Sequence, residues 1–90
     1  MSHDLNLKRG NENILASVDK HGISIFIGWT VGIPRDDAIA YVQTVGQNIN
    51  AGFFPVNGQV VLSHKGAKLT LSEQEADAIV GIIKTAYGVA

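Results

Sequence analysis

Three histidines, His3, His21 and His64, are the residues of this 90-residue chain best suited to hold a metal or move a proton. A histidine site needs three or four converging ligands. Neither His21 nor His64 has a second histidine or a carboxylate at helical ligand spacing. Both stand in candidate hairpin turns, Lys20-His21-Gly22 and His64-Lys65-Gly66, where side chains face solvent. Met1-Ser2-His3 offers the amine-plus-imidazole nitrogens of a square-planar copper or nickel set. The small Ser2, however, favours removal of Met1, which shifts the histidine out of register. No metal and no cofactor are expected.

The acids are Asp4, Glu12, Asp19, Asp36, Asp37, Glu73, Glu75 and Asp77. Four of them, Asp36, Asp37, Glu73 and Glu75, are accounted for by helix starts, where a negative charge meets the positive end of the helix dipole. No serine lies in a Gly-x-Ser-x-Gly elbow, and no nucleophile stands with a base and an orienting group. The chain is not expected to be an enzyme. Gly28-Trp29-Thr30-Val31-Gly32 leads towards a helix, as phosphate loops do, but lacks both glycine-rich phosphate fingerprints. An anion at that helix start would have Arg35 nearby and would be opposed by Asp36 and Asp37.

The formal net charge is -1 and the 7 basic residues are scattered. That leaves no basic stripe for a nucleic acid backbone. There is no cysteine, which removes disulfides, thiolate metal sites and thiol nucleophiles. No apolar run approaches the ~20 residues of a membrane span, and no signal segment is visible. The expected location is the cytoplasm. An apolar fraction of 46% suits one globular domain of this length.

The elements that must position these side chains are read from apolar periodicity. Ile14 to Trp29 alternates on both sides of His21-Gly22 and predicts a hairpin. Pairing Lys20 with Ile23 sets Val18 opposite Ile25, Ala16 opposite Ile27 and Ile14 opposite Trp29, all on one face. Leu15, Ser17, Asp19, Ser24, Phe26 and Gly28 fall on the other. Leu5-Asn6-Leu7 predicts a short edge strand before it. Val31 to Pro34 reads as a connector. Pro34, Asp36 and Asp37 then start a helix over about Arg35 to Asn50, with Ala38, Tyr41, Val42, Val45 and Ile49 as its buried stripe.

Phe53 to Val56 predicts a strand, Asn57-Gly58 a tight turn, Gln59 to His64 a second strand, and Lys65-Gly66 a turn into Ala67 to Leu71. Val60, Leu62, Leu69 and Leu71 share a face. Ser72 and Glu75 have the spacing of a capping box. The last helix is expected over about Glu73 to Ala86, with Ala76, Ile79, Val80, Ile83 and Tyr87 inward and Gly88 as its stop.

Shifting the first half by 44 positions superposes the hairpins, and a shift of 40 superposes Asp37-Ala38-Ile39 on Asp77-Ala78-Ile79. The four-residue excess is Val31 to Pro34. The two halves, about 5–50 and 53–88, therefore read as candidate βββα repeats of a single α+β domain. The expected architecture is a two-layer sandwich: one antiparallel sheet of about five or six strands with both helices on one face.

The face away from the helices should then be polar. Instead it carries Leu15, Phe26, Phe54 and Val61 among serines and threonines. This is the candidate protein interface. The leading functional expectation is a non-enzymatic binding module acting by protein–protein interaction, with a second copy of the chain or another protein as partner. The runner-up is a small-ligand or nucleotide binder using the Gly28 to Arg35 connector and the turns, through Trp29, Arg35, His21, His64 and Lys65. The third is a structural subunit of a larger assembly. Short, cysteine-free, catalytically empty chains of this type resemble small accessory proteins of phages and mobile elements, which implies binding and inhibition of a host protein or sequestration of a small molecule.

Overall fold

In the computed structural model, residues 3–89 are described. The order is β1 (His3–Arg9), β2 (Glu12–Asp19), β3 (Gly22–Phe26), β4 (Thr30–Pro34), α1 (Arg35–Gln43), β5 (Gly52–Val56), β6 (Gln59–His64), β7 (Ala67–Ser72) and α2 (Glu73–Tyr87). The class is α+β, but the strands form two antiparallel sheets, β1-β2-β3-β4 and β5-β6-β7. This corrects the expected single sheet of five or six strands. The sheets meet through the helices rather than through a backbone ladder: α2 packs on β1 and β2 of one sheet and on β6 and β7 of the other, and α1 reaches β3, β4 and β5. The inward residues of both sheets and both helices form one buried cluster, from Ile14 to Ile83.

One side-chain tie joins the two sheets directly. Arg9, at the end of β1, donates to both carboxylate oxygens of Glu75 and, at 2.9 Å, to the backbone carbonyl of Thr70 on β7. Glu75 is also the third residue of α2 and closes the capping box. Its carboxylate accepts from the Ser72 N–H, and Ser72 Oγ accepts from the Glu75 N–H. α2 runs to Tyr87 and stops at Gly88, whose φ of 66° is left-handed, as its sequence predicts.

The Val31 to Pro34 stretch is a strand, not a connector. Val31 and Ile33 are buried while Thr30, Gly32 and Pro34 are exposed, the period of a half-buried strand. The hairpin β2–β3 also turns one residue earlier than expected. Leu15 lies opposite Phe26 and Val18 opposite Ile23, with Lys20-His21 as the turn. This is a two-residue shift, so the side chains that pair across β2 and β3 keep their predicted faces. The Asp19 side chain decides the turn: its Oδ1 accepts from the N–H of His21 and of Gly22. Gly22 then lies in the ladder, where a Cβ would stand 2.2 Å from the Ile33 carbonyl oxygen.

Helix α1 ends at Gln43, well short of Asn50. Thr44 Oγ1 bonds back to the Ala40 carbonyl, and Gly46 takes a φ of 81° and donates its N–H to Phe53 on β5. Val45 and Ile49 are consequently exposed rather than buried. Residues 44–51 fold as turns over one end of the second sheet. There Ser63, on the outward side of β6 by alternation, is nonetheless 1% exposed and donates to the Ile49 carbonyl.

Both prolines sit where a sheet edge needs no donor. The bonds from Arg35 N–H to His21 and from Ile27 N–H to Trp29 flank the β3–β4 ladder. With the antiparallel alternation, they turn the backbone groups of Thr30, Gly32 and Pro34 outward. On β5 the Phe53 carbonyl points to Gly46, which makes Pro55 outward-facing too. A proline at such a position removes a free N–H from an edge.

Candidate functional surfaces

The side chains singled out from the sequence do not converge on one place. They divide among the outer face of the four-stranded sheet, the outer face of the three-stranded sheet, the β2–β3 turn and the buried core.

Residues at one level across the first sheet form straight rows on its outer face. One row is Asn6, Leu15, Phe26 and Thr30, each paired with the next. The next row is Asp4, Ser17, Ser24 and Gly32. Leu15 and Phe26, directly opposite one another on adjacent strands, are 42% and 45% exposed. Trp29 follows in the β3–β4 turn and is 46% exposed. It does not lie opposite Ile14 on the inner face: β3 has ended at Phe26, and the chain turns back before Trp29 can join the ladder. Phe54 and Val61 also form a cross-strand pair, but on the second sheet, and both are half-buried. The four residues proposed as one interface therefore belong to two sheets.

The β2–β3 turn gathers a polar cluster. The N–H of Arg35, the first residue of α1, donates to the His21 carbonyl at 2.9 Å, which brings His21 and Arg35 together. The Arg35 guanidinium lies 5.4 Å from the centre of the Tyr87 ring, an attractive cation–π arrangement. Tyr87 donates its hydroxyl to the Asp19 carbonyl at 2.6 Å. Lys20, Arg35 and Tyr87 line an open cleft of about 340 Å³. A second one, of about 320 Å³, lies across the turn over Gly22, Ser24 and Gly32. The two backbone N–H groups it accepts hold the Asp19 carboxyl below its usual range, that of His21 contributing most, so at neutral pH the cluster includes an ionised acid. Burial pushes the Tyr87 hydroxyl up, and it stays protonated as a donor. The sequence marks Tyr87 only as a core residue; its role beside Asp19 and Arg35 joins positions 68 and 52 residues away in order, along a chain whose pairings carry no local signal for it.

His64 and Lys65 lie elsewhere. His64 is 6% exposed, and its Nδ1 lies 2.8 Å from the Tyr41 hydroxyl, with the two rings edge to face. It is a core histidine, not a solvated turn residue. It pairs with Ala67 in the ladder, so that Lys65-Gly66 alone makes the turn, and its side chain points with Val60 and Leu62 to the inner face. Lys65 is exposed at that turn with a φ of 48°.

Among the described residues, no three His, Asp or Glu side chains gather as a metal site. Met1 and Ser2 of the amine set lie outside the described residues. No helix there is long and apolar enough to cross a membrane. No protein-family model matches the sequence, and comparison with curated proteins and with solved structures gives no match.

Proposed function

We propose that this protein is a non-enzymatic binding module that associates with another protein surface through the outer face of its four-stranded sheet. One observation carries the reading. Leu15 and Phe26 stand side by side and exposed on the two middle strands of that face, with Trp29 beyond them in the turn, while the same strands already bury Ile14, Ala16, Val18, Ile23 and Ile25 inside. The fold does not need these outer residues for its core. Large exposed aromatics of this kind supply the anchors of protein interfaces. Phe54 and Val61 drop out of the central patch, since they pair half-buried on the other sheet.

The Phe26→Ser variant tests the reading. Folded content by circular dichroism should be unchanged, because an exposed position costs little when made polar. Association, measured by sedimentation and by retention of protein on an immobilised column, should be lost. Loss of fold would place Phe26 in the core; an intact fold with unchanged association would remove the outer face from consideration.

A second reading rests on the Arg35–Tyr87 contact. A stacked guanidinium beside Lys20 in an open cleft suits a small planar or anionic ligand. Asp19, Asp36 and Asp37 oppose an anion there, which makes it the weaker reading. A nucleotide panel in a thermal-shift assay tests it: a binder at 100 times its dissociation constant adds ~2.7 kcal/mol of stability, and Arg35→Ala should abolish the shift.

A further inference from the structure

We infer that the partner on this face is a second copy of the chain, packed face to face, with Leu15 and Phe26 of each protomer seated in the hollow formed by Ser17, Ser24 and Gly32 of the other. The inference rests on the association reading above and names its occupant. Its starting point is Gly32. A glycine weakens a strand interior, and nothing within one protomer requires it here. Its φ is not in the left-handed region, and a Cβ built on it would meet no atom within 4 Å. Open space over a glycine on an exposed face is what a close-approaching neighbour would fill.

The register supplies the fit. The large row, Leu15 and Phe26, adjoins the small row, Ser17, Ser24 and Gly32, one step along the same strands. A two-fold axis lying in the interface, across the strands and midway between the rows, turns each row onto the other. Phe26 then lies over the partner's Ser24, Leu15 over the partner's Ser17 and Thr30 over the partner's Gly32. Large-on-small interdigitation is how facing sheets fill their common layer, and an isologous contact requires one surface to carry both halves of the fit. An axis along the strands would instead set Phe26 level with its own row.

Size agrees. Strands of 7, 8, 5 and 5 residues, at ~3.3 Å per residue and ~4.8 Å apart, project roughly 400 Å². Side-chain relief raises the accessible surface of such a face above its projection, towards the ~800 Å² per partner of a standard interface. Three of the four sheet edges fit a partner less well: Pro34 on β4 and Pro55 on β5 each withhold a donor, and on β7 the Thr70 carbonyl is already taken by Arg9.

Sedimentation of the full chain and of two single variants tests this, with thermal melting as the check on fold. The wild type should be a dimer in the micromolar range. Gly32→Val fills the hollow with a strand-favouring side chain in open space. At concentrations where both are monomeric it should melt no lower than the wild type, yet it should weaken the dimer by ~10-fold or more, and Phe26→Ser should weaken it by ~30-fold or more. A monomeric wild type, or a Gly32→Val protein as dimeric as the wild type, overturns the inference. If the wild type is monomeric and Phe26→Ser still loses a foreign protein partner, only the second copy is overturned. A dimer indifferent to both variants overturns the outer-face reading as well.

Discussion

The two sheet-and-helix units of this protein solve the same packing task with different means. The second is built from local signals. Asn57-Gly58 and Lys65-Gly66 turn its strands with positive φ at all four residues, Ser72 and Glu75 cap its helix, and that helix runs for 15 residues. The first has a nine-residue helix with no side-chain cap, a turn held by the Asp19 carboxylate, and a fourth strand where the second unit has none. Its order comes from contacts made across the sheet. The unit richer in local signals is therefore the one whose boundaries are legible from sequence, and the other carries the exposed aromatic face.

The largest expected effect sharpens this contrast at one glycine of each hairpin, Gly22 at the start of β3 and Gly66 in the β6–β7 turn. Gly22→Ala drives a Cβ against the Ile33 carbonyl, so β3 and β4 must separate; a loss on the order of 3 kcal/mol or more in denaturant unfolding is expected. At Gly66 a Cβ meets no atom within 4 Å, so Gly66→Val suffers chiefly from the φ of 87°, which should cost ~1–2 kcal/mol. Equal losses would erase the distinction between crowding in one turn and backbone strain in the other.

The histidines come next. Tyr41→Phe deprives buried His64 of its partner and should cost ~1–3 kcal/mol. His21→Ala, at an exposed turn, should stay within ~0.5 kcal/mol. Should His21→Ala prove the costlier of the two in the same unfolding assay, the assignment of core and surface histidine is reversed.

Caps follow. Ser72→Ala should lower stability by ~1 kcal/mol, and native-state hydrogen exchange should report the loss in the first turn of α2. The corresponding position before α1 is Pro34, with no side-chain cap to lose.

The tie between the units gives the smallest effect, on the order of 1 kcal/mol or less because Arg9 is partly exposed. The Arg9 guanidinium, ahead of the Ser72 N–H, holds the Glu75 carboxyl below its usual range. A carboxylate whose folded pKa is depressed stabilises the fold above its unfolded pKa, and loses that contribution as pH falls through the folded value. Stability should therefore decline on acidification below the ordinary glutamate range, and Arg9→Met should flatten that part of the pH profile. An unchanged profile would mean that Arg9 does not link the sheets in solution.

Much was determined by sequence alone, because the responsible interactions are short-range. Alternation sets which face each strand residue takes, and it survives the two-residue shift of the first hairpin since the side-chain period is two. Thus the inward positions of Val18 and Ile25 and the outward ones of Leu15 and Phe26 were legible. So were the Asn57-Gly58 and Lys65-Gly66 turns and both ends of α2. Tertiary structure alone decided the rest. Whether Val31 to Pro34 is a strand depends on β3 lying beside it to receive its backbone bonds. Where α1 stops depends on Gly46 finding the Phe53 carbonyl. The burial of His64 depends on Tyr41 arriving from another element, and the arrangement of the two sheets on α1 and α2 packing against both. Each of these partners is set by the packed chain, while propensity and periodicity extend only over a few residues. That is why the outward direction of Leu15, Phe26, Phe54 and Val61 was legible in the sequence, but their division between two sheets and the Leu15–Phe26 row emerged only with the register.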